Sequence, residues 1–508
     1  MIKIYNDSIF VSSDEQIYVP LIMNLTVSNK ITYRQGNRLM FKQVPEKIFV
    51  EKDNGVYIPR GLYQLISTYF EKSEVIDEQN KDISNIFSLE DFNNLENILN
   101  GIQLRDYQIL AVRKMCMLQR CIIQCSTGAG KTEMIAAFLK LINLKLGYTP
   151  TTLVIEPTVQ LVDSTVSRFK KYGIDVYSYR NKRAIEENKV IVTHPKSLCN
   201  DIDKDDSLLS RVKIMVADET HHLKSVTWRK PLGSMPSLEY SIGVSATAID
   251  QKHTTANNIS MYTPEELYII GSTGILAMNM KAGTLIDKST LAVPVVMRLD
   301  NPADEQISNT LSNDWHEIVN NKLMSVTRNN IIAECALFFT DKQRKTLILV
   351  NTVEWSRLLL KSLSDYGLGN ITRASYGGGK FEGYNEGGYF SDNSQVMSKF
   401  SDGDFNILIG TTHLYEGVDV PNLDVVILAF GGKKDRMQLQ GIGRALRKTK
   451  SGKYAYIIDF TDHCDKVLSK QSSVRLNRYK NDLKIPDSRI FNEVKVKDLP
   501  EIFKKLEE

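Results

Sequence analysis

The sequence lacks what would place it in a membrane or an oxidising compartment. Among its 508 residues no apolar run approaches the ~18 that span a bilayer. The opening, Met1-Ile-Lys-Ile-Tyr-Asn-Asp, carries no signal-peptide pattern, so a cytoplasmic protein with no membrane partner is expected. The cysteines (Cys116, Cys121, Cys125, Cys199, Cys335, Cys464) form no CxxC pair, which argues against a zinc site and a disulfide framework. The first three sit on or beside one short apolar stretch and read as small core hydrophobes. No strong charge of either sign is present: the net charge is +4. Any nucleic-acid contact must therefore come from local patches. No PD-(D/E)xK nuclease pattern stands out. What remains, 42% hydrophobic and 24% charged, is ordinary for globular protein, and the length suits about three domains.

The chain is organised around Cys121-Ile-Ile-Gln-Cys-Ser-Thr-Gly-Ala-Gly-Lys-Thr132. Cys121 to Ile123 reads as a buried strand. A glycine turn follows, and then apolar residues at helical spacing: Met134, Ile135, Phe138, Leu139 and Ile142. Strand, turn and helix are the setting of a phosphate-binding loop. Thr127, Gly128, Ala129 and Gly130 would turn backbone N–H groups inward, with the helix dipole behind them. Lys131 would reach the β- and γ-phosphates of ATP, and the Thr132 hydroxyl would ligate Mg²⁺. Cys125 stands where glycine or alanine is usual, a position that packs rather than coordinates.

Asp218-Glu219-Thr220-His221 follows the strand-like run Lys213 to Ala217. A carboxylate there suits Mg²⁺, a role for Asp218. Glu219 would polarise the attacking water as general base. A surface acidic pair at a helix start is the bland alternative. Leu104 to Gln108 offers an amide, Gln108, able to read adenine, although Tyr107 also reads as core. Gln440, Gly443, Arg444 and Arg447 fall at helical spacing. Two guanidiniums on one face suit a γ-phosphate supplied from across a cleft, but a solvated basic helix fits the same residues.

Along the chain, residues 1–75 look β-rich, with strands at Ile17–Met23, Arg38–Lys42 and Lys47–Glu51 and an amphipathic helix at Pro59–Phe70. Between Lys30 and Arg60 basic residues outnumber acidic ones, with Tyr33 and Phe41 among them. That mixture suits a phosphate-contacting accessory domain, with Arg34 and Arg38 as candidate contacts; a solvated strand face suits it equally. Residues 76–100 read as an acidic linker with a short helix. Strand and helix then alternate over 101–290 and again over 291–464, and only the first block carries a phosphate loop. A glycine-rich stretch, Tyr376 to Tyr389, reads as a long loop, and 465–508 as a basic helical extension that either clamps DNA or covers the second domain.

Taken in order, these stretches resemble the core of the superfamily 2 helicases. Leu104–Gln108 is similar to the Q motif, Ser126–Thr132 to motif I, Glu156–Gln160 to motif Ia and Val192–Lys196 to the region around Ib. Asp218–His221 is similar to motif II of the DExH group and Ser245–Thr247 to motif III. Leu349–Thr352, Gly410–Asp419 and Gln440–Arg447 resemble motifs IV, V and VI. The resemblance implies an α/β fold: two tandem RecA-like parallel-sheet domains that sandwich ATP, with a small α+β N-terminal domain. It implies nucleic-acid contacts at Thr158, Thr193, Thr411 and Thr412, and nucleotide coupling through Gly417 and Asp419. The N-terminal pattern, ending in Val56-Tyr-Ile-Pro-Arg-Gly-Leu-Tyr-Gln-Leu-Ile, resembles the phage branch-migration helicases of the UvsW kind. That implies a monomeric enzyme acting on branched DNA, in host cytoplasm and beside other replication or recombination proteins. A DExH RNA helicase, a restriction-type duplex translocase and a binding scaffold are the rival readings.

Overall fold

The computed structural model describes residues 1–35, 38–179, 185–205, 207–249, 259–287, 292–300, 318–377, 380–383, 389–390, 393–411, 420, 423–431, 454–463 and 465–507. Contacts divide the chain into two units. One is Met1–Cys125 with Gly130–Asn279; the other is Ser126–Ala129 with Met280–Glu508.

In the first unit the continuous Ile/Val/Leu runs become fully buried strands, as a sheet covered on both faces requires. Seven strands lie in the order Val176–Ser178, Val190–Thr193, Thr152–Ile155, Ile214–Asp218, Tyr240–Ser245, Arg120–Cys125, Leu276–Met280. The first six run parallel. Ile214–Asp218, Tyr240–Ser245 and Arg120–Cys125 are therefore neighbours, and their carboxyl ends share one edge. Loops at that edge are where parallel sheets of this kind hold ligands.

The N-terminal segment packs on the same unit. Five strands, in the order Val50–Lys52, Gly55–Pro59, Ser8–Ser12, Ile2–Ile4, Val75–Asp77, make a mixed sheet. Thr26–Gln35 and Arg38–Lys47 form a separate two-stranded antiparallel ribbon. Buried residues from this region and from the first domain form one apolar cluster, including Leu21, Val56, Leu62, Ile269 and Ile270. Gly61 sits so close to the helix Pro264–Thr273 that a Cβ there would lie 2.1 Å from the Ile270 carbonyl oxygen. Glu239 ties the segment further, accepting from the Ile83 N–H at 2.9 Å and the Ser84 hydroxyl at 2.7 Å.

Several expectations for this region change, among them the strand Lys47–Glu51, which is split between Arg38–Lys47 and Val50–Lys52. Ile17–Met23 is not a strand: Tyr18–Asn24 is a helix that buries Leu21 and leaves Val19 and Met23 exposed. A short apolar run has no period that separates the two, and packing decides. The Pro59–Phe70 helix is broken into 3₁₀ turns at Arg60–Leu62 and Ser67–Phe70 around one α-turn, Tyr63–Ile66. Within residues 76–100 the short helix is 3₁₀ turns, Leu89–Phe92 and Leu95–Asn97.

The second unit holds a nine-stranded sheet in the order Tyr389–Phe390, Lys380–Gly383, Thr372–Gly377, Ile407–Gly410, Thr346–Leu349, Val425–Leu428, Tyr454–Phe460, Val293–Leu299, Ile490–Val494. From Thr372–Gly377 onward the neighbours are parallel. The C-terminal segment builds into this unit. The helix Lys466–Asn481 buries Arg475 against Asp459 at 2.9 Å, and Ile490–Val494 closes the sheet edge. Among the described residues no helix is long and apolar enough to cross a membrane.

Candidate nucleotide site on the first domain

The turn after Arg120–Cys125 needs left-handed backbone twice, at Gly128 (φ 80°) and Gly130 (φ 79°). A side chain at Gly130 would also strike Gln108, whose Nε2 would lie 2.2 Å from the added Cβ. The turn is thus a cradle of bare backbone. The helix Lys131–Leu146 starts immediately after it, pointing its N-terminal dipole back at the loop.

Lys131, Asp218 and Glu219 are brought together. Lys131 Nζ donates to Glu219 Oε1 at 2.8 Å, with side chains only 11% and 14% exposed. Asp218 ends its strand, is buried, and its carboxylate accepts from the Glu219 N–H at 2.8 Å. Glu219 stands in the left-handed region, φ 48° and ψ 51°, unusual for a residue with a side chain. Holding it there costs on the order of 1 kcal/mol, and such strain gathers at functional sites.

Glu219 is fixed from its other side as well. Ser245 Oγ donates to Glu219 Oε2 at 3.1 Å. Ser245 has one hydroxyl proton, so at its 3.0 Å contact with His221 Nδ1 the imidazole is the donor. The Thr247 N–H adds a second donor to Ser245 Oγ at 3.2 Å. His221 is fully buried. Asp218–His221 and Ser245–Thr247 are therefore one hydrogen-bonded chain ending on the Glu219 carboxylate.

The charges follow from this packing. Burial works against the Glu219 anion, but Lys131 and then His221 hold its carboxyl well below the usual range. Burial likewise works against Lys131, yet Glu219 and Asp218 keep the ammonium above its ordinary value. Asp218 is pushed up to about 6 by burial; Lys131 pulls it down and Glu219 pushes it up. Glu156 lies at the end of the next strand over, fully buried. Burial and then Asp218 drive it well above the carboxylate range, although Thr165 Oγ1 donates to it at 2.7 Å.

Other sequence-derived residues fall as follows. Gln108 is buried; its Oε1 accepts from the Arg105 N–H at 2.8 Å and its Nε2 donates to the Gly130 carbonyl at 3.4 Å, so its amide serves the loop. Thr132 Oγ1 lies 3.5 Å from Arg168 Nη1. Thr158 caps the helix Val159–Lys171, its hydroxyl accepting from the Leu161 N–H at 3.2 Å. Thr193 is fully buried and donates to the Tyr179 carbonyl at 3.2 Å; Thr411 is also buried. Arg34 and Arg38 stand near the ribbon tip, opposite Leu39 and Gln35. Thr412, Gly417, Asp419, Arg444 and Arg447, with Cys464 and much of the glycine-rich stretch, lie outside the described residues.

Three residues of the site have roles that the sequence reading did not assign. Glu156 is a fourth ionisable group at the cluster. Arg168 pairs with Glu133 beside the loop. Gln124 Oε1 accepts from the N–H groups of Ala248 at 2.8 Å and Ile249 at 2.9 Å, locking the loop strand to motif III. Their partners are remote along the chain. Only the polar Gln124 inside an otherwise apolar strand could have been flagged.

The cradle, the lysine at its mouth and two adjacent carboxylates fit a nucleoside triphosphate with a divalent cation. Among the described residues no cluster of three His, Cys, Asp or Glu side chains forms a metal cage. Mg²⁺ characteristically takes few protein ligands and completes its shell with phosphate and water.

Residues 101–250 match the family described as Type III restriction enzyme, res subunit, and residues 328–449 match the helicase conserved C-terminal domain. The chain is 23% identical over 427 residues to a protein named DNA 3'-5' translocase XPB2 from Sulfurisphaera tokodaii, covering 76% of this chain and 86% of that one. A fragment structure of a putative HsdR subunit of a type I restriction enzyme from Vibrio vulnificus aligns over 94% of this chain and 97% of the other, at a TM-score of 0.56 and 15% identity. T4 UvsW aligns over 97% and 98% at 16% identity, with a TM-score of 0.40.

Proposed function

From a chain that belongs to the superfamily 2 helicases and uses ATP, we propose a DNA translocase that remodels branched DNA such as forks and Holliday junctions. The observation that carries the enzymatic part is the Lys131–Glu219 pair, set beside Asp218 where three adjacent parallel strands end. Phosphoryl transfer asks a protein mainly for positioning and charge, and this edge holds the groups for both. Lys131 grips the outer phosphates. Glu219, oriented by Ser245, polarises the attacking water. Mg²⁺, held by Thr132 and Asp218, would supply charge neutralisation on the phosphates. Gln108, whose amide also holds the Gly130 carbonyl, is assigned to adenine. Arg444 and Arg447, from motif VI, are assigned the γ-phosphate by the order of the motifs.

DNA is favoured as the polymer by the relative named for DNA translocation. Branched DNA is favoured by the basic stretch Lys30–Arg60, part of the N-terminal segment packed on the ATP-binding domain. Thr158, Thr193, Thr411 and Thr412 are the candidate backbone contacts of the core, with Arg34 and Arg38 outside it. The test is a panel of ATP turnover and strand displacement over single strands, plain duplex, forks, Holliday junctions and RNA. Turnover should rise most with branched DNA and vanish in Glu219→Gln. Stimulation by RNA alone would assign the chain to the RNA helicases instead.

A further inference from the structure

The ribbon Thr26–Gln35 with Arg38–Lys47 is a structure without an obvious reason to stand alone. Its register is unbroken over ten pairs, from Thr26 opposite Lys47 to Gln35 opposite Arg38. At about 3.3 Å per residue it is roughly 33 Å long. Among the described residues it pairs with no other strand. An isolated two-stranded ribbon is marginal in water, and one that also shows apolar side chains is more so. This one leaves Phe41 63% and Ile31 47% exposed, with Tyr33 and Met40 close behind. Residues directly opposite share a face. Phe41 and Lys30 therefore lie on one face, and Tyr33, Met40, Ile31 and Lys42 on the other. Neither face is covered at these residues.

The base is anchored, by contrast. Val27 is buried, and Glu46 accepts from the Tyr268 hydroxyl at 2.5 Å. Tyr268 sits on the helix Pro264–Thr273, under the Arg229 guanidinium 3.7 Å from its ring. The arm is thus fixed at its root to the ATP-binding domain. Its charge is one-sided: the two strands carry Lys30, Arg34, Arg38 and Lys42 against a single acid, Glu46, which Tyr268 and Asn29 already occupy, while Lys47 at the base pairs with Glu51 at 2.9 Å. The Lys30 ammonium lies 3.9 Å from the Phe41 ring centre, so a cation and an aromatic face are presented together.

We propose that this ribbon is a duplex-reading arm that enters the major groove of B-form DNA. It rests on the reading above only in taking a nucleic acid as the substrate. Charge complementarity and shape select the occupant. Two strands about 4.8 Å apart, with side chains on both faces, match a groove about 12 Å wide. Lys30 and Lys42 reach the phosphates on either wall. Phe41, Tyr33 and Met40 meet base edges and thymine methyl groups. The major groove of an A-form RNA duplex is too narrow to admit it. The arm therefore makes the enzyme discriminate duplex DNA from duplex RNA.

The test uses the full chain. Wild type should bind a DNA duplex more tightly than an RNA duplex of the same length and should protect guanine N7 from dimethyl sulfate, a major-groove signal. Lys30→Ala with Lys42→Ala should flatten the salt dependence by two phosphate contacts. The affinity lost between 50 and 200 mM salt would then be about tenfold smaller. Tyr33→Ala with Phe41→Ala should abolish N7 protection and bring the DNA and RNA affinities together. Equal losses on both duplexes, unchanged N7 protection, or protection moved to adenine N3 in the minor groove would overturn the proposal. So would a concentration-dependent dimer that the Phe41 variant abolishes, since the ribbon would then meet a second copy. ATP turnover lost in Glu219→Gln and stimulated by DNA in either ribbon variant keeps the enzymatic reading separate from the fate of the arm.

Discussion

Lys131 offers the sharpest test, because the structure gives it two duties. In the absence of nucleotide it is the counter-ion of a buried acidic cluster. Replacing it by alanine removes the partner of Glu219 at 2.8 Å and takes from Asp218 and Glu156 the ammonium that draws both carboxyls down. Removing one member of a buried ion pair costs about 3–5 kcal/mol. Since both side chains keep some exposure, about 3 kcal/mol is expected, or roughly 6–12 °C in the melting point of a domain this size. Lys131→Ala with Glu219→Gln should recover much of that loss, because the orphaned charge goes too; a coupling of about 1–3 kcal/mol is typical of residues in contact. Turnover is a separate matter. Both the single and the double variant should lose at least about 10²-fold in DNA-stimulated ATP hydrolysis. The assay is a four-way cycle of melting points without nucleotide, paired with single-turnover hydrolysis. If the double variant melts no higher than Lys131→Ala, the ion pair does not carry the charge balance described here. If Lys131→Ala hydrolyses ATP at the wild-type rate, the site is wrongly assigned.

The remaining expectations follow from single contacts. Ser245→Ala removes the donor on Glu219 and should lower kcat about tenfold with little change in KM for ATP, because it orients a group and does not bind nucleotide; a change confined to KM would refute the orienting role. Gly61→Ala places a Cβ 2.1 Å from a backbone oxygen and should cost about 1–3 kcal/mol, read as easier proteolysis of the N-terminal segment; unchanged resistance would mean the two surfaces are not in contact. Burial raises the Glu239 carboxyl, and Ser84 and Ile83 only partly offset this. The folded chain thus takes up a proton there more readily than the unfolded chain. Stability tied to this group is gained as pH falls and is missing at high pH. Glu239→Gln, which keeps an acceptor for both donors, should raise the urea midpoint at pH 8, with the gain shrinking at pH 5. Glu239→Ala, which keeps none, should cost about 1–3 kcal/mol at either pH.

Much of this fold was legible because its parallel strands are buried on both faces. Ile214–Asp218 stands within a residue of the run Lys213 to Ala217, and Arg120–Cys125 contains the run Cys121 to Ile123. Edge strands were not legible. Val176–Ser178, Thr26–Gln35 and Ile490–Val494 have weak or polar patterns and owe their form to a partner strand or an anchored base. The site divides in the same way. Lys131, Asp218 and Glu219 could be read because their chemistry follows from a short spacing and a local turn. Glu156, Arg168 and Gln124 could not, because each matters only through a neighbour that folding brings near. Thr193 shows the converse: its position on the right strand end was readable, but the hydroxyl's burial against Tyr179 was not.

The Lys131–Glu219 pair explains why base and phosphate-gripping cation are found together. Lys131 and Glu219 neutralise each other, so neither is available for other work. A triphosphate brings more negative charge and more acceptor oxygens than one carboxylate and competes for the ammonium. Once Lys131 turns to it, Glu219 loses the largest influence holding its carboxyl down but keeps Ser245 as a fixed donor. Its basicity then rises only when phosphate is present, and the left-handed backbone at Glu219 keeps the freed carboxylate from wandering into a more relaxed geometry. An ion pair that looks like a structural brace is, on this argument, a lock that only the substrate's own charge opens.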